Sequence, residues 1–92
     1  MKSTKIAAAR NLGPVTAAEM ETFGITHLEQ IEEMGWEVFM ERYVRHFPQR
    51  LHLTAFLAVI GALHDQDWRQ VDVSEKKRAQ KMILALKAGR GF

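Results

Sequence analysis

The sequence predicts an all-α fold: a compact bundle of about five short helices forming a single domain over residues 1–92. Three observations predict it. Residues 10–36 carry a helix start followed by a glycine stop, twice in succession. Trp36, Phe39, Met40, Tyr43 and Phe47 fall on one stripe at helical period. Leu51 to His64 is apolar on nearly every side, with Thr54 the one polar residue between Leu53 and Leu63.

The elements follow in order. Ser3 or Thr4 can cap a short first helix over Lys5 to Arg10, with Ile6 and the alanines as its apolar side. A turn, Asn11-Leu12-Gly13-Pro14, comes next, and Pro14 suits the first position of a helix. That helix begins at Pro14 or at Thr16. Thr16 with Glu19, and Thr26 with Glu29, match the Ser/Thr-x-x-Glu capping box, in which hydroxyl and carboxylate satisfy unpartnered backbone N–H groups. Gly24 before Ile25 and Gly35 before Trp36 read as stops with glycine at positive φ. A Schellman ending would set Ile25 against Met20 and Trp36 against Ile31. Two short helices joined by a tight turn result.

A longer helix runs from Trp36 to about Phe47, ended by Pro48, with Glu41 and Arg45 as an i, i+4 ion pair. The helix from Leu51 to about His64 is the predicted centre of the core, because a helix apolar all round is buried all round. Gly61 inside it costs about 1 kcal/mol relative to alanine, and a close helix crossing is the expected reason for it. Asp65 to Val73 is a polar connection whose Trp68 is expected to fold back over a core edge. Ser74 caps a last helix with Ala79, Met82, Ile83 and Leu86 as its apolar stripe. Residues 89–92 read as a frayed tail.

Composition narrows the function classes. Hydrophobic residues make up 47% of the chain, enough for a globular core. There is no cysteine, so a disulfide framework and a thiolate metal site are excluded. No apolar run approaches the roughly 20 residues of a membrane span. The N-terminus has too short an apolar region for a signal peptide, so a cytoplasmic protein is expected. His27, His46, His52 and His64 lack the His-x-x-x-His spacing of a metal-binding helix face, and no carboxylate cluster completes a set. No Ser or Thr comes with a recognisable base and orienting acid. Neither an enzyme, a metal nor a cofactor is therefore expected. Charge is strongly partitioned: seven acids and no bases lie between Glu19 and Glu41, while Met1 to Ala18 holds three bases and no acid.

Two candidate binding surfaces follow. The first is the turn, where Arg10, Asn11, Leu12, Gly13 and Thr16 would place backbone N–H groups at a positive helix end, suited to phosphate. The second is the basic opening of the last helix: Lys76, Lys77, Arg78 and Lys81. Cations there oppose the helix dipole, so local stability does not place them. They suit nucleic acid, an acidic protein or water.

Ala9-Arg10-Asn11-Leu12-Gly13-Pro14, Gly24-Ile25, Leu53 through Gly61-Ala62-Leu63, and Trp68-Arg69 resemble the C-terminal domain of TfoX/Sxy-type competence regulators. The resemblance covers roughly Ile6 to Met82. The turn is also similar to helix-hairpin-helix modules, including the C-terminal domain of bacterial RNA polymerase α subunits, which use it to contact the DNA backbone. Asn11 stands where such turns commonly carry the first of two glycines. Full-length TfoX-like regulators also carry an N-terminal α/β domain with no counterpart in these 92 residues. The resemblance implies a transcription-related regulatory module that contacts DNA backbone nonspecifically or sits beside a DNA-bound protein. A pure protein-interaction domain, using the acidic belt or helix faces, is the alternative. Oligomeric state is not encoded in any pattern above.

Overall fold

The computed structural model describes residues 4–89. Ser3 as a cap and the tail from Arg90 onward lie outside the described residues. Five α-helices make the domain: α1 (Pro14–Glu21), α2 (Leu28–Met34), α3 (Trp36–His46), α4 (Leu53–Leu63) and α5 (Val73–Gly89). Short 3₁₀ turns at Ile6–Ala8, Pro48–Arg50 and Trp68–Gln70 join or precede them. The first is much shorter than the helix expected over Lys5 to Arg10, and its leading residue, Lys5, makes no side-chain cap.

Both stops form, and neither capping box does as expected. Gly24 and Gly35 take φ of 89° and 85°. At the first stop the Ile25 N–H donates to the Met20 carbonyl at 3.0 Å and Gly24 N–H to Glu21 at 3.1 Å, the two bonds of a Schellman motif. Gly35 differs. Its ψ of 144° sends the chain straight into the next helix, and its carbonyl accepts the Phe39 N–H at 3.1 Å. One residue thus ends α2 and begins α3.

The boxes fail because the helices start elsewhere. α1 starts at Pro14 behind Gly13, so Thr16 and Glu19 already lie inside it and cannot reach back to its cap. Before α2 the start is one residue later than Thr26: the Gln30 side chain accepts the His27 N–H at 2.9 Å. Glu29 is thereby released to accept the Thr4 N–H at 3.0 and 3.2 Å. The N-terminal strap explains the shift. Ile6 N–H donates to Thr26 and Leu28 N–H to Thr4, pinning Lys5 opposite His27 in an isolated antiparallel bridge.

α4 packs against α2, α3, α5 and the 3₁₀ turn at Trp68–Gln70. Its Phe56, Val59 and Ile60 are fully buried with Phe39, Met40 and Val44 of α3. Met20, Ile25, Ile31 and Ile6 close the core from the hairpin side. α5 adds Ala79 and Ile83. Its first turn opens on Asp72, whose carbonyl accepts the Lys76 N–H at 2.9 Å. Ser74 is therefore inside the helix, and its hydroxyl donates to the Asp72 carboxylate.

α4 ends on a second Schellman motif that carries no glycine at its turn. Asp65 takes φ of 53°, its N–H donates to Ala62, and Gln66 N–H donates to Gly61 at 2.7 Å. Gly61 is needed for a contact other than a helix crossing. A Cβ there would lie 2.7 Å from the Asn11 carboxamide nitrogen and 2.7 Å from the Gln66 carbonyl, with the Trp68 Cα at 3.3 Å. Trp68 lies on the turn that packs against α4 and keeps 37% of its surface exposed.

Candidate nucleic-acid interface

The turn ahead of α1 is bent by Asn11, which takes φ of 70°. This is the left-handed region that asparagine tolerates better than most residues. Its side chain locks the bend to a distant part of the chain. The carboxamide nitrogen donates to the Gln66 carbonyl at 2.7 Å and to the Ala58 carbonyl at 3.3 Å, and the oxygen accepts the Trp68 N–H at 3.2 Å. Leu12 turns inward and packs on the core. Asn11 and Leu12 therefore hold the turn in place by their side chains, facing the protein.

The outward side is built by Arg10, Gly13 and the first amides of α1. Arg10 is exposed. Gly13 is extended, with φ of −144°, and a Cβ added there would meet nothing within 4 Å. Neither backbone strain nor packing demands glycine at this position. No side chain caps α1, Pro14 has no N–H, and the amides of Val15 and Thr16 have no acceptor among the described residues. These amides sit at the positive end of the helix dipole. Thr16, near the Tyr43 phenol, lines with Asn11, Leu12 and Arg50 the hollow between the turn and α4.

Charge near the turn is less acidic than the sequence suggests. Glu19 is clamped by Arg50, whose Nε and Nη2 donate to its two oxygens at 2.8 Å each, and the Tyr43 hydroxyl donates at 2.6 Å. The Arg50 fork holds the Glu19 carboxyl below its ordinary range, and Tyr43 adds to that. Burial, then the Glu19 contact, pushes the Tyr43 phenol far above its usual range. On the other flank the Arg69 guanidinium grips Asp67 at 2.9 and 3.0 Å. Arg69 keeps the Asp67 carboxyl well below the carboxylate range, first through this grip and then through its backbone N–H, with Arg10 adding a smaller effect.

Arg69 and the exposed Trp68 are neighbours of the turn that sequence reading did not place there. The Asn11 bond to Trp68 bridges 57 residues, and no local pattern announces it. The basic patch on α5 divides. Lys76, Lys77 and Lys81 are exposed and form no ion pair among the described residues. Arg78 instead pairs with Glu37 and lies 5.5 Å from the centre of the Trp36 ring, tying α5 to α3. Among the described residues no group of three or more His, Asp or Glu gathers as a metal site, and no helix is long and apolar enough to cross a membrane.

The family model described as the TfoX C-terminal domain matches residues 2–83. A solved structure of an uncharacterised protein from Listeria monocytogenes is similar in fold, with a TM-score of 0.83 at 17% identity, covering 97% of this chain and 100% of that one. No curated protein matches the chain.

Proposed function

The chain belongs to the TfoX C-terminal domain family, and from that membership we propose a non-enzymatic regulatory module that docks on the DNA phosphate backbone through residues 10–16. Its setting would be transcription-associated, competence-type regulation in the bacterial cytoplasm. The observation that carries this reading is Gly13. A glycine that the fold does not require, beside uncapped helix amides and an exposed arginine, leaves room for a phosphate to reach the backbone. Amides and one arginine position on phosphates but do not read bases, so the contact is sequence-nonspecific. Exposed Glu21, Glu32, Glu33 and Glu41 keep the footprint small.

A fluorescence-anisotropy titration with a random-sequence duplex at stepped salt tests this. Binding near 10⁻⁴–10⁻⁶ M (order of magnitude) at physiological salt is expected, falling steeply as salt rises. Gly13→Val fits an extended backbone with open space around it, so the variant folds and should lose the binding. Arg10→Glu should do the same, and replacing Lys77 and Lys81 should matter less. If the Lys77/Lys81 double variant loses binding while both turn variants keep it, α5 is the contact surface and the turn is a fold element only. If no salt-dependent binding occurs at high micromolar protein, the protein-interaction reading replaces this one. That second reading is favoured by one observation: Val73 and Leu84 are 63% and 69% exposed on the basic helix.

A further inference from the structure

We infer that the outer face of α5, with the groove between it and the start of α4, is a docking site for an acidic amphipathic helix of a partner protein. The groove holds about 480 Å³ and is lined by His52, Leu53, Gln80, Ile83, Leu84 and Lys87. Leu53 and Ile83 form its apolar floor, and Leu84 stands on its rim, 69% exposed.

Helical spacing continues this surface along α5. Val73, Lys77, Gln80, Leu84 and Lys87 recur at intervals of four, three, four and three, so they share one face. The two large apolar side chains on it are both exposed, and lysines alternate with them. The face carries no acid: Glu75 points elsewhere, to His64 at 3.0 Å.

Local energetics favour Lys87, in the last turn of α5, but do not account for Lys76 and Lys77. Lys76 and Lys77 stand at the positive end of the helix dipole, and Lys77 with Lys81 is a like-charge pair at i, i+4; each arrangement is unfavourable. Arg78 shows what a structural cation does on this helix, since it finds Glu37 and the Trp36 ring. The lysines of the outer face have no such partner among the described residues.

Charge complementarity selects the occupant. An acidic helix with apolar residues at i, i+3, i+4 and i+7 would set one anchor into the groove and place carboxylates against Lys77 and Lys87. A second copy docking α5 on α5 would bring lysines onto lysines. Duplex DNA would satisfy the lysines but leave Val73, Leu84 and the groove without an apolar partner. The inference is independent of the turn and of DNA binding there.

The probe is a synthetic helical peptide with leucines at those four positions and glutamates flanking them. Controls are the same peptide with leucines replaced by alanine, and a lysine version that keeps the leucines. Titration into the ¹⁵N-labelled chain should shift the amides of His52, Leu53, Ile83, Leu84 and Lys87 with the acidic leucine peptide. Leu84→Glu, at an exposed position, and Lys77→Glu with Lys87→Glu should each weaken binding about tenfold or more while the remaining spectrum stays dispersed. The inference is overturned if the alanine or lysine peptide binds equally well, if the shifts map elsewhere, or if neither set of substitutions matters. It is likewise overturned if sedimentation shows that this face joins two copies of the chain, or if a duplex displaces the peptide from it.

Discussion

Asn11 joins the turn to backbone groups 47, 55 and 57 residues away with a single carboxamide. Gly61 is the other half of that joint, because only a residue without a Cβ lets the carboxamide nitrogen and the Gln66 carbonyl come so close. Glycine to alanine inside a helix normally gains up to about 1 kcal/mol. Here the sign should reverse. Gly61→Ala should lower stability by roughly 1–3 kcal/mol, since the atoms a Cβ would meet are backbone or hydrogen-bonded and cannot move away cheaply. Asn11→Ala should cost roughly 1–3 kcal/mol by leaving two carbonyls and an N–H short of partners, with a further penalty for alanine at φ of 70°. Urea unfolding of both variants checks this. A Gly61→Ala chain as stable as wild type would mean the joint is looser than its distances imply.

Among the elements, α4 carries the core and α1 carries the outward amides. Leu57 is 5% exposed in α4, with Phe56 and Ile60 beside it. Leu57→Ala should cost roughly 2–5 kcal/mol in chemical denaturation, and a loss under about 1 kcal/mol would show that α4 is not the centre of the core. α1 is different in kind. Glu19, expected as half of a cap, works as the acceptor for Arg50 and Tyr43, which fastens α1 to the far end of α3 and the turn after it. Gly13→Val should leave unfolding within about 0.5 kcal/mol of wild type, since neither φ nor space opposes it. That near-neutrality is what allows the same variant to report on DNA contact alone.

For the whole molecule, acid should be the weak side. Glu19, Glu29 and Asp67 all hold folded-state pKa values below their ordinary ones, owing chiefly to Arg50, to the Thr4 N–H and to Arg69 respectively. A depressed carboxylate contributes stability that is present above its unfolded pKa and is lost as pH falls through the folded value. Stability should therefore decline as pH drops below the ordinary Glu range of about 4.3. Thermal unfolding between neutral pH and pH ~3 measures it. Glu19→Gln should lower stability at neutral pH and flatten part of the acid decline, because the titrating group is gone while Arg50 and Tyr43 keep a weaker acceptor. An unchanged acid profile in Glu19→Gln would remove that clamp from the acid response.

The fold class, the Trp36 stripe, the α4 core and both glycine stops were legible in the sequence because each is set by local periodicity or by a backbone angle that glycine reaches without strain. TfoX-type family membership was legible for the same reason: the residues that carry it lie in short contiguous runs, and the family match over residues 2–83 bears it out. Caps were legible only as motifs. Thr16-x-x-Glu19 and Thr26-x-x-Glu29 have the right letters, but where a helix starts depends on what else claims its first amides. Here Pro14 claims one start and the strap through Thr4 and Ile6 claims the other. The reason for Gly61, the inward role of Asn11, the neighbourhood of Arg69 and the division of the α5 basic patch were decided by tertiary structure alone. Each depends on groups far apart in the chain meeting within hydrogen-bond or van der Waals distance, and sequence spacing carries no record of such meetings.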